Sequence, residues 1–462
     1  MTSAPDALAK LWTGLGHDSS VLPNVDLTGA EPVLPSSFAV GTAMQASVAA
    51  SALAAAEIWR VRSAQSQRVG VDMRAAAIAS RSERYFTVNG AQTPELWDKI
   101  AGTYQCGDGR WVRLHTNFPH HRDGVLKILQ CAYDKAAVAQ ALKAWKAFDF
   151  EETCAQAKLV VTAMRTFAEW DAHPQGQAVG KLPVLSVERI GDAPAALWPK
   201  GNRPLAGIRV LDLTRIIAGP VCGLTLAAHG ADVLLVTSPH LPSIEPLVID
   251  TGRGKLSTHI DLRDDLGRRQ FEALLRDADV VVQGYRPNGL AERGFGAQDV
   301  ARIRPGIVYV SLCAYSHAGP WANRGGFDSL VQTASGFNAA EAQAAGIDGP
   351  KPLPAQILDH ASGYLLACGA MSALLRRATE GGSWHVRVSL AQTGFWLRSL
   401  GRIDGLACKD PARDGVRDLL EESDSGFGRL SAVKHPATMT AIPPRWQRPS
   451  VPLGTHPPAW PL

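Results

Sequence analysis

One carboxylate in the C-terminal part of the chain has neighbours that could make it a nucleophile. Asp359 stands between a short apolar run and a long segment rich in Ala and Leu, in the stretch LPAQILDHASGYLLACGAMSALL (353–375). Because the leucines recur at helical spacing, the pattern predicts that Asp359 lies at the start of a helix. A carboxylate there can cap the helix by accepting hydrogen bonds from free backbone N–H groups. The same N–H groups and the helix dipole can also keep it ionised for attack on a carbonyl carbon and stabilise the oxyanion that forms. This stretch alone leaves both roles open.

The segments around Asp359 alternate between strand and helix patterns. After a Pro- and Gly-bearing linker, ALWPKGNRPLAG (196–207), apolar runs occur at Ile208–Leu213 and Ala231–Val236 and within LSTHIDL, DVVVQGY and IVYVSLCAY, with helical segments such as DDLGRRQFEALLRDA between them. This alternation predicts an α/β fold with a doubly wound parallel sheet. No GxGxxG follows the first strand and no Walker A sequence occurs, which disfavours a dehydrogenase or a phosphate-loop NTPase.

Composition limits the class of protein. The 462 residues are too many for one core, and 46% hydrophobic with 19% charged residues indicates a soluble, well-packed chain. A net charge of +4 without clustered basic and aromatic residues favours an anionic small molecule over nucleic acid. Seven cysteines without a CxxC pair favour reduced thiols and no bound metal. The N-terminus lacks a basic segment followed by an apolar core, and the uncharged run near residues 38–58 is too polar to span a membrane, so we expect a cytoplasmic protein.

A weak internal repeat joins the two ends of the chain. A predicted helix, Val40–Arg62, is followed by a polar turn and a predicted strand, Val69–Met73. The same order recurs in the helix that ends near Arg377 and the strand Val386–Leu390, and the offset is constant, since 386 − 69 and 388 − 71 are both 317. At this offset Asp359 corresponds to Thr42, so the first copy keeps a residue able to cap a helix but lacks the carboxylate.

These patterns divide the chain into three parts. Residues 1–200 contain the first copy and a small α+β unit with a strand–turn–strand pattern, TYQCGDGRWVRLHTNF, followed by helical segments. Within that unit His120 and His121 are adjacent and therefore do not form a metal site by themselves. Residues 201–400 hold the predicted parallel sheet and Asp359. Residues 401–462 are predicted to be an irregular tail, anchored by Trp446 and Trp460.

Several motifs of the 201–400 part, taken in order, resemble the family III acyl-CoA transferases, the formyl-CoA and carnitine CoA-transferase group. The motifs are LAGIRVLDLTRIIAGP, GADVLLV, GRGKLSTHIDL, GYRPNGLAERGFG, IVYVSLCAYSHAGPWANRGGFDSLVQTASG, ILDHASGYLLACGAMSALL and HVRVSLAQ. The resemblance implies a Rossmann-like CoA-binding domain, a smaller α+β domain and an interlocked homodimer. It also implies that Asp359, which opens the D-x-x-x-G segment ending at Gly363, is the nucleophile. Here the half that resembles the family's small domain comes first, which predicts a circularly permuted or partly duplicated member.

The resemblance also indicates where CoA would bind. CoA carries a pyrophosphate and a 3′-phosphate, so its site needs cations and backbone N–H groups rather than a metal. Lys255 matches a CoA-contacting lysine of the family, and Ile216, Ile217 and Ala218 match main chain that lines the adenine. Three nearby arginines are further candidates for the CoA site: Arg253, Arg286 and Arg293. CoA and acyl-CoA are expected as substrates, with no tightly bound cofactor.

The function that this resemblance implies is transfer of CoA from an acyl-CoA thioester to a free carboxylic acid through an aspartyl intermediate. An acyl-CoA racemase or isomerase of the same superfamily is one alternative, and a non-catalytic CoA-binding subunit is another. In the racemases a histidine stands directly before the acid of the segment GGFDSLVQ, where this chain has Phe327 before Asp328. Phenylalanine cannot carry a proton, which favours the transferase.

Overall fold

The structure, a computed structural model, describes residues 1–92 and 94–461. Its helices are α1 (Ala4–Gly14), α2 (Val40–Ser63), α3 (Met73–Ala79), α4 (Pro119–Leu129), α5 (Lys135–Leu142), α6 (Ala147–Gln156), α7 (Phe167–Ala172), α8 (Pro174–Gly180), α9 (Ala218–Ala228), α10 (Glu245–Thr251), α11 (Asp265–Arg276), α12 (Ala297–Ile303), α13 (Asp328–Ala334), α14 (Phe337–Ala345), α15 (Ile357–Glu380) and α16 (Leu390–Ser399). Short 3-10 turns occur at Ser19–Asn24, Ser82–Arg84, Ala291–Arg293 and Arg413–Leu419. No helix of this described part is both long and apolar enough to cross a membrane.

The strands form four sheets. They are β1 (Val25–Thr28), β2 (Val69–Asp72), β3 (Thr87–Val88), β4 (Ala91–Gln92), β5 (Gly102–Gln105), β6 (Trp111–Leu114), β7 (Val161–Ala163), β8 (Leu185–Gly191), β9 (Arg209–Leu213), β10 (Asp232–Thr237), β11 (Lys255–His259), β12 (Val280–Gln283), β13 (Val308–Cys313), β14 (Ser383–Ser389), β15 (Leu420–Ser425), β16 (Gly428–Val433) and β17 (Ala437–Met439). The largest sheet has the order β11-β10-β9-β12-β13-β14-β8, and the others are β1-β2-β17, β15-β16-β3-β4 and β5-β6-β7.

The seven-stranded sheet is parallel except for its edge strand β8. Its inner strands are mostly apolar, as in VVVQ of β12, because both faces are buried. The predicted α/β class with a parallel sheet is therefore confirmed. The chain runs outward from β9 to β11 in one direction and then from β12 to β14 in the other. The loops after β9 and β12 consequently diverge and leave a crevice at the carboxyl edge of the sheet.

A small antiparallel sheet, β5-β6-β7, packs with α4, α5 and α6 around its own apolar core, which includes Val112, Leu129, Leu142 and Phe150. The predicted strand–turn–strand pattern in this region is confirmed as the hairpin β5–β6. Gly109, in its turn, has φ of +80°, a conformation that glycine adopts without a steric penalty.

The long helices of the two repeat copies begin and end at equivalent residues, the strands end at equivalent residues, and the short helices after them begin at equivalent residues. We call residues 40–79 the first copy and residues 357–396 the second copy. Helices α2 and α15 both have 24 residues, and their starts at Val40 and Ile357 differ by 317. The residues before them have nearly the same dihedral angles, φ −75° and ψ 63° against φ −78° and ψ 61°. Each copy continues through a strand into a short helix, α3 or α16, that starts at the same offset. The two long helices pack on each other in the main apolar core.

The prediction of an irregular tail over 401–462 is wrong in part. Three strands form there because β15 and β16 make a hairpin that adds to β3, while β17 pairs with β2. Such long-range pairing has no local signal in the sequence. Residues 440–461 have no regular structure, and the two tryptophans anchor them as predicted: Trp446 Nε1 donates to the Leu224 carbonyl at 2.9 Å, and Trp460 Nε1 donates to the Leu274 carbonyl at 3.0 Å.

Candidate active site

Asp359 lies in the wall of a cavity of about 670 Å³ at the carboxyl edge of the parallel sheet. The strands β9, β10, β11, β12 and β13 all contribute residues that follow their last positions, as expected for a ligand site in a sheet of this kind. The opposite wall comes from the small unit around α4 and β7 and from the loop before α13. Asp359 is the third residue of α15 and is buried except for 7% of its surface.

Asp359 is not the N-cap of its helix, so the capping role considered for it is wrong. Gln356 is the N-cap residue of α15 and makes no side-chain capping bond. Instead, the buried Asp328 at the start of α13 supplies the carboxylate that the helix start needs. Its Oδ2 accepts a hydrogen bond from the backbone N–H of Asp359 at 2.9 Å, and its Oδ1 accepts one from Gln332. Because Asp328 satisfies the helix terminus, the Asp359 side chain remains available to the cavity.

A close approach of helices brings Asp359 to the start of α9. A Cβ atom added to Gly363 would lie 2.7 Å from the Ala218 carbonyl oxygen and from Val221 Cβ, so only glycine lets α15 pack this closely on α9. Ile216, just before α9, has φ of +77°, which β-branched residues rarely adopt. Strain of this kind is concentrated at functional sites.

Burial and neighbouring negative charge favour the protonated form of Asp359. Its pKa is raised well above the usual range, first by burial and then by the charges of Asp328 and Glu83. Burial also raises the pKa of Asp328 to about 6, although hydrogen bonds from the N–H groups of Asp359 and Leu358 and from Gln332 act in the opposite direction. The two acids thus share a poorly solvated site in which two negative charges are costly.

His360, the residue after Asp359, is held by an acid from the first half of the chain. Its Nε2 lies 3.3 Å from Glu83 Oε2, and both side chains are buried. Burial opposes ionisation of Glu83, but the hydrogen bond from His360, the charge of His360 and the charge of Arg84 outweigh it and lower the pKa of Glu83. The helix that carries Asp359 is therefore tied to the segment Ser82–Arg84, which follows the first copy.

The predicted CoA-binding residues divide into two groups. Ile216, Ile217 and Ala218 line the cavity, and so do Arg286 and Arg293, whose side chains are exposed. Lys255 and Arg253 do not line it, so the structure does not bring these two predicted residues to the site.

Lys255 and Arg253 are each occupied by partners elsewhere. Lys255 Nζ donates to Asp212 Oδ2 at 2.9 Å and to the Pro220 carbonyl at 2.8 Å in a buried ion pair. The Arg253 guanidinium binds Glu421 at 3.1 Å and stacks 4.0 Å from the Trp446 ring. Both therefore hold the fold together. The acids and the ring that bind them are distant in the chain, so the sequence did not indicate these contacts.

Sequence reasoning missed several groups that line the cavity. Arg215 follows β9, is half-buried, and its guanidinium carbon lies 4.9 Å above the Phe118 ring. His120 and His121 lie beside that ring, and burial followed by nearby positive charge lowers the pKa of His121 to about 4. Lys158 lines the same wall. The position of Arg215 directly after a strand was a usable signal, whereas nothing in the sequence indicates that the small unit closes over the sheet.

A sequence model of one protein family matches residues 205–419, and its description is CoA-transferase family III. The match covers the parallel sheet, the start of α9 and the helix that carries Asp359. Residues 205–419 belong to CoA-transferase family III. The family III segment therefore contains most of the cavity wall, and the prediction of this family is confirmed.

Individual proteins that are similar to this chain include two named as CoA transferases. An acyl-CoA transferase from Gibberella moniliformis is 28% identical over 426 residues, which is 82% of this chain and 74% of that protein. The acetyl-coenzyme A transferase nodX from Hypoxylon pulicicidum is 35% identical over 257 residues, 53% of this chain but only 43% of its own length. Among solved structures, the Mycobacterium tuberculosis protein Rv3272 is 32% identical, with 43% of this chain and 57% of that chain covered and a TM-score of 0.40. This chain therefore spans only about half the length of the last two proteins.

Proposed function

We propose that this protein is an acyl-CoA:carboxylate CoA-transferase in which Asp359 is the nucleophile. The observation that carries the proposal is the position of Asp359, a carboxyl group in the cavity wall of a family III segment, with its helix start capped by Asp328 instead of by its own side chain. A carboxyl group released from a structural role and facing a ligand-sized cavity is suited to covalent catalysis.

The proposed reaction exchanges CoA between two acids through Asp359. The carboxylate attacks the thioester carbonyl of the donor, giving a mixed anhydride and CoA thiolate. The thiolate then attacks the aspartyl carbonyl, which releases the donor acid and leaves an aspartyl-CoA thioester. The acceptor acid attacks this thioester in the same way, and the thiolate finally forms the new acyl-CoA and restores the carboxylate. The cavity has to hold the thiolate close and keep water away, because water would hydrolyse the anhydride.

The cavity suits CoA in both shape and charge. Counted from β9, its six parallel strands have the order 3-2-1-4-5-6, which is that of the Rossmann fold and supports a nucleotide-binding role. Ile217 makes no side-chain cap at the start of the 11-residue α9, so backbone N–H groups of that helix can receive an anion. Arg215, Arg286 and Arg293 supply cations on the same side. We propose that these groups bind the phosphates of CoA as a substrate, without a metal.

An isomerase acting on acyl-CoA is the second candidate, and one observation favours it. His120 and His121 line the cavity, and burial lowers the pKa of both, so each is neutral near pH 7 and able to accept a proton. Paired with a protonated Asp359, such a base could move the α-proton of an acyl-CoA. The histidine that the racemases use at the position before Asp328 is absent, however, and the phenyl ring of Phe327 stacks on His115 at 3.8 Å.

Transfer between a panel of acyl-CoA donors and isotope-labelled free acids tests the proposal. The wild-type protein should form labelled acyl-CoA with at least one pair, and Asp359→Asn should lower the rate by on the order of 10³-fold or more, because an amide is a poor nucleophile. A non-catalytic CoA-binding protein would bind acyl-CoA without forming any labelled product, and an Asp359→Asn variant with the wild-type rate would exclude Asp359 as the nucleophile.

A further inference from the structure

The two repeat copies exchange edge strands. Strand β8 follows the first copy in the chain, yet it pairs antiparallel with β14 of the second copy, where Val187 lies opposite Val386. Strand β17 follows the second copy, yet it pairs antiparallel with β2 of the first copy, where Ala437 lies opposite Val71. Each copy thus receives a strand from the segment that follows the other copy.

The exchange is symmetric in register as well as in topology. Val386 and Val69 are equivalent residues of the two copies, since 386 − 69 is 317, and their antiparallel partners are Val187 and Met439. On the other side each strand has a parallel neighbour, β13 for β14 and β1 for β2. The set β1-β2-β17 therefore repeats the set β13-β14-β8 strand for strand. Two subunits that interlock by exchanging segments would have this arrangement.

We infer that this polypeptide is interlocked with itself, so that its first copy takes the place of a partner subunit and one chain forms one complete catalytic unit. The first half of the chain contributes directly to the site of the second, because Glu83 holds His360 beside Asp359. Ser82 adds a second link across the halves through its hydroxyl, which donates to Asp250 at 2.6 Å. The interlocking within one chain goes beyond the transferase activity and does not depend on it, whereas the statement about the catalytic unit rests on the proposed function.

The first copy has no second site of its own. Thr42 occupies the position of Asp359, and its N–H donates to Glu31 Oε1 at 2.7 Å, just as the N–H of Asp359 donates to Asp328. The space in front of this helix start is filled, since a Cβ atom added to Gly41 would lie 2.5 Å from Val33 Cγ2 and 3.0 Å from Glu31 Oε2. The first copy thus has the fold of the repeat without an acid at the position of Asp359.

Engineered disulfides across the exchanged strands test the inference without any activity assay. The pair Val187→Cys with Val386→Cys joins β8 to β14, and the pair Val71→Cys with Ala437→Cys joins β2 to β17. Residues directly opposite in antiparallel strands have Cα atoms about 4.5–5.5 Å apart, which is within the range for a disulfide. After mild oxidation and denaturation, each variant should migrate without reductant as a single chain of 49.3 kDa with an internal link.

A cross-linked species of twice that mass would overturn the inference, because it would show that the strands are exchanged between chains, as in the interlocked homodimer that the family resemblance predicts. Full-length variants with only one of each pair of new cysteines control for the seven native cysteines, which are all free in this structure. Thermal melting of the reduced variants identifies any that fail to fold. If a folded double variant forms no cross-link of either kind, the strand pairing itself is contradicted.

Discussion

Asp359 has two requirements that oppose each other. Attack on a thioester needs the ionised carboxylate, but burial, Asp328 and Glu83 raise its pKa and favour the protonated acid. A raised pKa also means that the carboxylate, once ionised, is a stronger base and a stronger nucleophile. Groups kept in an unfavourable environment of this kind are common at catalytic sites, which is consistent with the proposed role of Asp359.

The raised pKa of Asp359 predicts how the stability of Asp359→Asn, relative to the wild type, depends on pH. An acid whose pKa is raised in the folded protein stabilises the fold fully below its unfolded pKa, here 3.8, and that contribution is lost as the pH rises through the folded pKa. The asparagine variant should therefore melt at a higher temperature than the wild type at pH 8 and show little or no gain near pH 4. Each pKa unit of the shift corresponds to about 1.4 kcal/mol in the free energy of unfolding. Calorimetry that finds the same difference in melting temperature at both pH values would contradict this prediction.

Phe327 is the residue that most clearly distinguishes the transferase from the isomerase. It cannot transfer a proton, and it is packed against a buried His115 whose pKa burial lowers to about 3. We predict that a 2-methylacyl-CoA incubated with the protein in deuterated water keeps its α-proton, as followed by NMR. Protein-free acyl-CoA gives the background rate. Rapid enzyme-dependent exchange would instead support the isomerase and make His120 and His121 the groups to substitute.

Among the elements, the long helices α2 and α15 begin in the same way. At the start of each, a carboxylate from outside the helix accepts hydrogen bonds from backbone N–H groups. Asp328 accepts from the N–H groups at the start of α15, and Glu31 accepts from those at the start of α2. In both places the acid is separated in sequence from the helix that it caps. Because the cap comes from outside the helix, the equivalent position can be an acid in one copy, Asp359, and a buried threonine in the other, Thr42.

The paired caps give a matched comparison between Asp328→Asn and Glu31→Gln. Each amide turns an acceptor into a donor facing backbone N–H groups, so each variant should lose about 1–3 kcal/mol in the free energy of unfolding. Only Asp328→Asn should also slow CoA transfer, because it alone disturbs the helix turn that carries Asp359. Urea unfolding and the transfer rate measured on the same samples separate the two effects. Equal losses of transfer in both variants would mean that Asp328 acts only through global stability.

In the molecule as a whole, local periodicity predicted the helices and strands, whereas contacts between distant residues determine how side chains are paired and how strands join into sheets. The apolar runs of β9, β10 and β12 and the helical spacing after Asp359 are local, and each element lies within a few residues of its predicted place. Lys255 could not be assigned in this way, because its partner Asp212 is 43 residues away in the chain. The cap from Asp328 to Asp359 spans 31 residues, and the pairing of β17 with β2 spans most of the chain.

The cavity, too, could be predicted only in part from the sequence. Its floor lies at the carboxyl edge of the parallel sheet, as the rule for ligand sites in such sheets leads one to expect, and includes Ile216–Ala218, which the family resemblance had indicated. Its opposite wall, with Phe118 and His120, belongs to a unit that has its own apolar core. No sequence pattern says against which surface such a unit packs.

Trapping the covalent intermediate would identify the nucleophile of the proposed reaction. Wild-type protein is incubated with an acyl-CoA and then with hydroxylamine, which converts an aspartyl anhydride or thioester to a hydroxamate, and the modified residue is located by peptide mass spectrometry. Asp359→Asn and wild type without acyl-CoA are the controls. We expect a hydroxamate at Asp359 in the wild type alone, and only after acyl-CoA has been added. Turnover of acyl-CoA without any modification at Asp359, or a hydroxamate at a different acid, would contradict the assignment of Asp359 as the nucleophile.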